Sequence, residues 1–206
     1  MKKMLLAVVM VAICLPASAA DFFSKAGGYY KIEVPPGYKI IANQLVRTTN
    51  SIPRLFAGWP NGTIILKWSV NGFLSNQFDE GFNEWADPDQ TLVPGESAFI
   101  FNPAPTNITL YMYGELLQGT LTNALTSGYS LLSSKVPQAG TLQQVLGFPP
   151  SPDDLILRWT NGYTPYNYDA DFLAWDTEPF ISVGEGFFLF RTGPSPTAWT
   201  RTFVLN

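Results

Sequence analysis

Thr63-Ile64-Ile65-Leu66-Lys67-Trp68, followed after two residues by Asn71-Gly72-Phe73, is the stretch on which the reading of this chain turns. A β-branched apolar run leads into Asn-Gly, the strongest short hairpin signal, because both residue types tolerate positive φ. The pattern returns as Leu155-Ile156-Leu157-Arg158-Trp159, then Asn161-Gly162-Tyr163. Working outward, Gly37-Tyr38-Lys39-Ile40-Ile41 is matched by Gly128-Tyr129-Ser130-Leu131-Leu132. Phe78-Asp79 and Trp85 are matched by Tyr168-Asp169 and Trp175. Gly95-Glu96-Ser97-Ala98-Phe99-Ile100-Phe101 is matched by Gly184-Glu185-Gly186-Phe187-Phe188-Leu189-Phe190. One order of landmarks at a shift of about 90 residues is the signature of a duplicated structural unit.

Each unit reads as short strands separated by Gly, Pro, Asn and Asp. Ile52 to Trp59 and its counterpart Thr141 to Phe148 read as one short helix per unit. The expected fold is therefore all-β. It consists of two homologous tandem β-sandwich or barrel-like repeats, each with one short helix, closely packed. Residues 21–117 form the first repeat and residues 118–206 the second. The junction Glu115-Leu116-Leu117-Gln118-Gly119 lacks the composition of a flexible linker.

Residues 1–20 read as an export signal. Lys2 and Lys3 precede the apolar run Met4 to Leu15, and Pro16-Ala17-Ser18-Ala19-Ala20 supplies small residues for cleavage after Ala19 or Ala20. The expected location is extracellular or on the surface of a bacterial cell, with the periplasm as the alternative. The single cysteine, Cys14, lies inside this segment, so the mature chain has no thiol for a disulfide or a thiolate metal site. The chain contains no histidine, which removes Ser-His-Asp and Cys-His nucleophile systems and zinc-protease motifs. Of 12 Lys and Arg, two belong to the signal, leaving 10 against 16 Asp and Glu, a net charge of about −6. That balance argues against nucleic acid as a partner. No later segment is apolar enough to read as a membrane span.

The order Gly-aromatic-x-Leu/Ile, then Lys/Arg-Trp, then Gly-Glu-Gly-Phe-Phe resembles a tandem module of secreted proteins from environmental Gram-negative bacteria. The resemblance covers nearly all of the mature chain, and its motifs are structural rather than catalytic. Some proteins of that kind carry cell-surface sorting tails, and no such tail follows the second unit in this sequence. The first unit departs from the pattern at Gly95-Glu96-Ser97-Ala98. The resemblance implies an exported repeat module and leaves its task open.

Glu96 and Glu185 are the only acids repeated in an identical local frame. A pair of carboxylates is the machinery of glycoside hydrolysis, but a Gly-Glu corner before an apolar strand equally suits a carboxylate accepting backbone N–H bonds in a turn. The second reading is expected, and the chain is read as not an enzyme, with no cofactor and no metal. Asp87-Pro88-Asp89 and Asp169-Ala170-Asp171, with Asp176 and Glu178, hold oxygen ligands of the calcium type, but they match no calcium loop and are expected to form turns. Trp68 and Trp159 alternate with Lys67 and Arg158 on their strands and are expected to point inward. Trp85, Trp175, Tyr163, Tyr166 and Tyr168 are expected to lie in loops and are the candidate contacts for a partner or a sugar ring. The expected function is an exported structural protein that assembles into an extracellular filament, sheath or surface layer. Its expected partners are copies of itself or other surface proteins. The alternative is a secreted polysaccharide-binding module using the loop aromatics.

Overall fold

The computed structural model describes residues 26–193 and 197–205. The export signal expected at residues 1–20 lies outside the described residues. The first half contains β1 (Gly27–Val34), β2 (Gly37–Ala42), α1 (Ile52–Leu55), β3 (Ile64–Ser69), β4 (Gly72–Asp79), β5 (Glu84–Trp85), β6 (Ser97–Asn102) and β7 (Ile108–Glu115). The second contains β8 (Gly119–Ala124), β9 (Gly128–Leu132), β10 (Gly140–Thr141), β11 (Leu155–Trp159), β12 (Tyr163–Asp169), β13 (Ala174–Trp175), β14 (Phe180–Ile181), β15 (Phe187–Arg191) and β16 (Ala198–Phe203). The fold is all-β.

Two five-stranded antiparallel sheets carry the architecture, in the orders β2-β6-β3-β4-β5 and β9-β15-β11-β12-β13. Two-stranded ribbons, β1-β7 and β8-β16, accompany them, and β10 and β14 form a short pair. The alternation of side chains along a strand sorts residues into layers. On β1, Tyr30, Ile32 and Val34 are buried, and on β7, Leu110 and Met112. They join Ile41, Ile65 and Ile100, from one face of the first sheet, in a single core. Leu142, Leu146 and Phe148 join Ile156, Phe187, Leu189 and Trp199 in the corresponding core of the second half. Ile40, Phe99, Leu131 and Phe188 form a third core from the remaining faces of the two sheets. The stack thus runs ribbon, sheet, sheet, ribbon, and each fully buried aliphatic side chain in it contributes roughly 1.5–3 kcal/mol.

The Asn-Gly hairpins form, but not as paired positive-φ turns. Ser69 pairs with Gly72, leaving Val70 and Asn71 as the loop, and only Gly72 takes positive φ, at 102°. In β11-β12 the loop is one residue longer, Thr160 to Gly162, and Asn161 takes φ 67°. The second expected helix does not form. Leu142 to Leu146 is a series of turns, because the Val145 and Leu146 N–H groups both donate to the Thr141 carbonyl, at 3.1 and 3.0 Å, and the Phe148 N–H reaches back to the Leu142 carbonyl at 3.0 Å, so the i→i−4 ladder does not propagate; Glu178 Oε1 accepts the N–H groups of Gln143 and Gln144 at 2.7 and 2.8 Å. In the first half Pro53 presets the first turn, and α1 buries Ile52 and Leu55.

Asp21 to Lys25 lie outside the described residues, and Gly27 to Val34 pair with β7 of the same chain, Gly27 opposite Glu115 and Val34 opposite Ile108. No helix among the described residues is long and apolar enough to cross a membrane.

Candidate functional site

The seam between the two sheets brings the aromatics together. On β3 the side chains of Leu66 and Trp68 face away from the Ile65 core, and on β11 those of Leu157 and Trp159 face away from the Ile156 core. The two tryptophans cross reciprocally. Trp68 Nε1 donates to the Tyr129 carbonyl at 2.9 Å, and Trp159 Nε1 donates to the Tyr38 carbonyl at 2.8 Å. Their rings meet the opposite phenylalanine edge to face: Trp68 on Phe188 at 5.4 Å and Trp159 on Phe99 at 5.2 Å, a favoured aromatic geometry. Both are half-buried at this seam rather than sunk in either half's own core.

The Gly-Glu corners close the seam. The Ala42 N–H donates to the Gly184 carbonyl at 2.9 Å, and the Ser133 N–H donates to the Gly95 carbonyl at 3.0 Å. Both glycines have positive φ, 96° for Gly95 and 75° for Gly184. A Cβ on Gly184 would stand 2.7 Å from Ile32, and one on Gly95 would stand 2.4 Å from Asn123. The departure of the first corner from Gly-Glu-Gly also has a cause. A Cβ on Gly186 would meet Ser97 Oγ at 2.1 Å, and that hydroxyl donates to the Leu132 carbonyl at 2.9 Å. The serine of one corner occupies the space that the glycine of the other leaves.

Glu96 and Glu185 are structural in their contacts. Glu96 Oε2 accepts the Val93 N–H at 2.8 Å and pairs with Lys67 at 2.9 Å. Glu185 Oε2 accepts the Ser182 N–H at 3.0 Å, and its carboxylate grips Arg158 through Nε at 2.7 Å and a second nitrogen at 3.1 Å. Burial works against the Arg158 charge, but the Glu185 carboxylate outweighs it and raises the guanidinium pKa.

Outside the seam core, a groove of about 330 Å³ opens between the sheets, lined by Trp68, Phe73, Tyr129, Leu157, Tyr163 and Phe188. Tyr163 is 48% exposed there. Partial burial, and secondarily the neighbouring Tyr129, push its phenol pKa up.

The five candidate contacts do not form one platform. Trp85 is 5% exposed, packed on Phe78 and Phe56 in the first core, and so is unable to meet a partner in this fold. Tyr168 is also buried, its hydroxyl donating to the Leu173 carbonyl at 2.6 Å. All five are expected in loops, but Trp85 lies on β5, Tyr163, Tyr166 and Tyr168 on β12, and Trp175 on β13. Trp85 and Tyr168 each pair within their sheet's outermost hairpin, Phe78 with Trp85 and Tyr168 with Trp175, and their side chains turn inward. Trp175 is half-buried, donating to Gln143 Oε1 at 3.1 Å, and Tyr166 packs against the second core. Only Tyr163 lines the groove. Its companions Tyr129 and Phe73 are legible in the sequence only as repeat landmarks, Gly128-Tyr129 and Gly72-Phe73.

The acidic loops behave as turns. Asp87 Oδ1 accepts the N–H groups of Asp89 and Gln90, and Asp169 Oδ1 accepts those of Asp171 and Phe172. Among the described residues no three acidic, histidine or cysteine side chains converge in a way that could hold a metal ion. Compared with protein-family models, curated proteins and solved structures, the chain matches none.

Proposed function

We propose that this is an exported structural protein that acts without catalysis and assembles with copies of itself into an extracellular filament, sheath or surface layer. The observation that carries the reading is where large aromatic side chains remain in water. Phe82 is 77% exposed at the turn between β4 and β5, and Phe172 is 82% exposed at the turn between β12 and β13. Phenylalanine at the tip of an outermost hairpin adds nothing to its own core, and exposed apolar clusters mark interaction sites. The second turn bears a backbone cost as well: Leu173, beside Phe172, has φ 50°, a region that bulky residues avoid. The outer face of the β1-β7 ribbon adds Tyr29 opposite Tyr113 and Lys31 opposite Tyr111, all exposed. β1 has β7 as its only strand neighbour among the described residues, so its other edge carries no strand, with Lys39 Nζ on the Glu33 carbonyl at 2.8 Å. The engagement of Glu96 and Glu185 in turns and ion pairs supports the non-catalytic part of the reading.

Electron microscopy and size-exclusion chromatography of the purified protein test it. Filaments, tubes or sheets are expected, with Phe82→Ser and Phe172→Ser reducing them. A monomer that persists as the protein is concentrated overturns the reading. The groove at Tyr163 favours a second reading, a polysaccharide-binding module in which the Trp68, Tyr129 and Tyr163 rings stack on sugar. A glycan array, with tryptophan fluorescence as the second readout, tests that one.

A further inference from the structure

We propose that copies join head to tail, the acidic β4-β5 hairpin of one seating in a basic cleft on the opposite edge of the next; this rests on the assembly reading above. Charge is segregated in this chain. No Lys or Arg occurs between Lys67 and Lys135. Within that span Asp79, Glu80 and Glu84 are all exposed, and they surround the exposed Phe82 at the hairpin turn.

The cations gather elsewhere. A cleft of about 290 Å³ runs between β1, β2 and the end of β11, and Lys31, Lys39 and Arg158 line it together with Trp159 and two acids, Glu33 and Glu185. Arg158 is balanced by Glu185. The two lysines are not. Lys39 Nζ donates to the Glu33 carbonyl at 2.8 Å, a contact that leaves its charge uncompensated. Lys31 is exposed and has no ion-pair partner among the described residues. The Glu33 carboxylate is turned to the Thr109 hydroxyl, at 2.9 Å. The cleft therefore offers two unpaired ammonium groups beside an indole. The hairpin offers three carboxylates around a phenyl ring, which complements it in both charge and apolar character.

Topology makes the contact propagate. In the first sheet β2 is one edge and β5 the other. Cleft and hairpin are thus four strand spacings apart, about 19 Å. An interface between two different patches is heterologous and generates rings or open filaments, whereas a two-fold dimer needs the same patch on both partners.

The test is a charge swap in the protein purified after export of the full chain. Lys31→Glu with Lys39→Glu reverses the cleft, and Glu80→Lys with Glu84→Lys reverses the hairpin. The Asp79 side chain is left in place because its Oδ1 accepts the Gly81 N–H. Each double variant alone is expected to need a roughly tenfold higher concentration to polymerise. An equimolar mixture of the two is expected to polymerise again, because each reversed patch then meets its opposite. The wild-type contact is expected to weaken with salt as the Debye length falls from about 30 Å at 0.01 M to about 8 Å at 0.15 M. Near-UV circular dichroism checks that each variant is folded, and Phe82→Ser tests the apolar half of the contact without altering charge. Wild-type polymers with both swaps unaffected, or folded swaps that fail to rescue one another, overturn this contact and leave the assembly reading intact. Loss of polyuronate binding in the cleft variant with polymers unchanged assigns the cleft to an acidic polysaccharide and overturns it too. A wild-type monomer overturns both.

Discussion

The two halves of the chain close the same register position by different chemistry. Asn102 ends β6 opposite Gly37, and Arg191 ends β15 opposite Gly128. The Asn102 amide donates to the carbonyls of Val34 and Thr106 at 3.0 and 2.9 Å, and its oxygen accepts the Ala104 N–H at 2.9 Å. The first half is thus satisfied by one neutral side chain bonded to backbone. In the second half Arg191 grips Asp154 through Nε at 2.9 Å and a terminal nitrogen at 2.5 Å, and also donates to the Pro149 carbonyl at 3.0 Å. The side chains of Arg191 and Asp154 are 1% and 0% exposed. A buried amide that loses a partner leaves a dipole unpaired, whereas a buried ion pair that loses a partner leaves a charge.

Removing one partner at each position tests this difference. Asp154→Ala is expected to cost about 3–5 kcal/mol, and Asn102→Ala about 1–3 kcal/mol, read from urea midpoints. Replacing both charges, Arg191→Met with Asp154→Leu, is expected to recover most of the loss, because a buried pair exchanged for apolar side chains of similar volume is often neutral. Equal costs for Asp154→Ala and Asn102→Ala would break the comparison.

The hairpin tryptophans give the next contrast. Trp85 is enclosed by Phe56 and Phe78, with ring centroids at 6.1 and 5.6 Å, whereas Trp175 is half-buried beside Tyr168 at 5.1 Å. Trp85→Ala is expected to cost about 3–5 kcal/mol. Trp175→Ala should cost about 1–3 kcal/mol, since less apolar area is removed from water. Similar losses from the two would mean that the second hairpin is as closed as the first.

Strand positions were legible because period-two burial leaves its mark on sequence: Tyr30, Ile32 and Val34 alternate with exposed residues on β1. The turn role of Glu96 and Glu185 was legible for a similar local reason. Three things were hidden. The turns at Leu142 to Leu146 depend on where each amide finds its acceptor: two converge on the Thr141 carbonyl, and two are taken by Glu178, more than thirty residues away. The inward turn of Trp85 and Tyr168 depends on cross-strand pairing in a two-residue edge strand. The cleft at Lys31, Lys39 and Arg158 joins the consecutive strands β1 and β2 to β11, in the other half of the chain, so no local pattern announces it.

Tyrosine titration separates a buried phenol from a partly exposed one. The Tyr30 hydroxyl donates to the Ala42 carbonyl at 2.9 Å, and burial pushes its pKa well above the ordinary value. Tyr163 is raised as well, from an exposed groove. A phenol whose folded pKa is raised contributes stability that is complete below its unfolded value, about 10, and is lost as pH climbs toward the folded value. Stability is therefore expected to vary little between about pH 6 and 9, where no imidazole titrates. Above about pH 10 it should fall by up to about 1.4 kcal/mol per pH unit from Tyr30 alone. Tyr30→Phe should flatten the alkaline limb and Tyr163→Phe should hardly change it, as followed by urea midpoints against pH.

The smallest expected effect bears on the seam itself. Trp68→Phe and Trp159→Phe each keep an aromatic ring at the interface while deleting one cross-seam hydrogen bond. Each is expected to cost about 0.5–1.5 kcal/mol. The two bonds differ in length by only 0.1 Å, 2.9 against 2.8 Å, and the two rings meet their phenylalanines at nearly the same angle, 86° against 87°. Equal losses follow if the two crossings are mechanically equivalent. The surroundings are not identical, however. Trp68 also approaches the Tyr129 ring at 6.2 Å, beside the open groove, whereas Trp159 lines the basic cleft. A larger loss at one tryptophan would show which side of the seam relaxes when its bond is removed, and hence which of the two neighbouring openings, groove or cleft, has the more rigid wall.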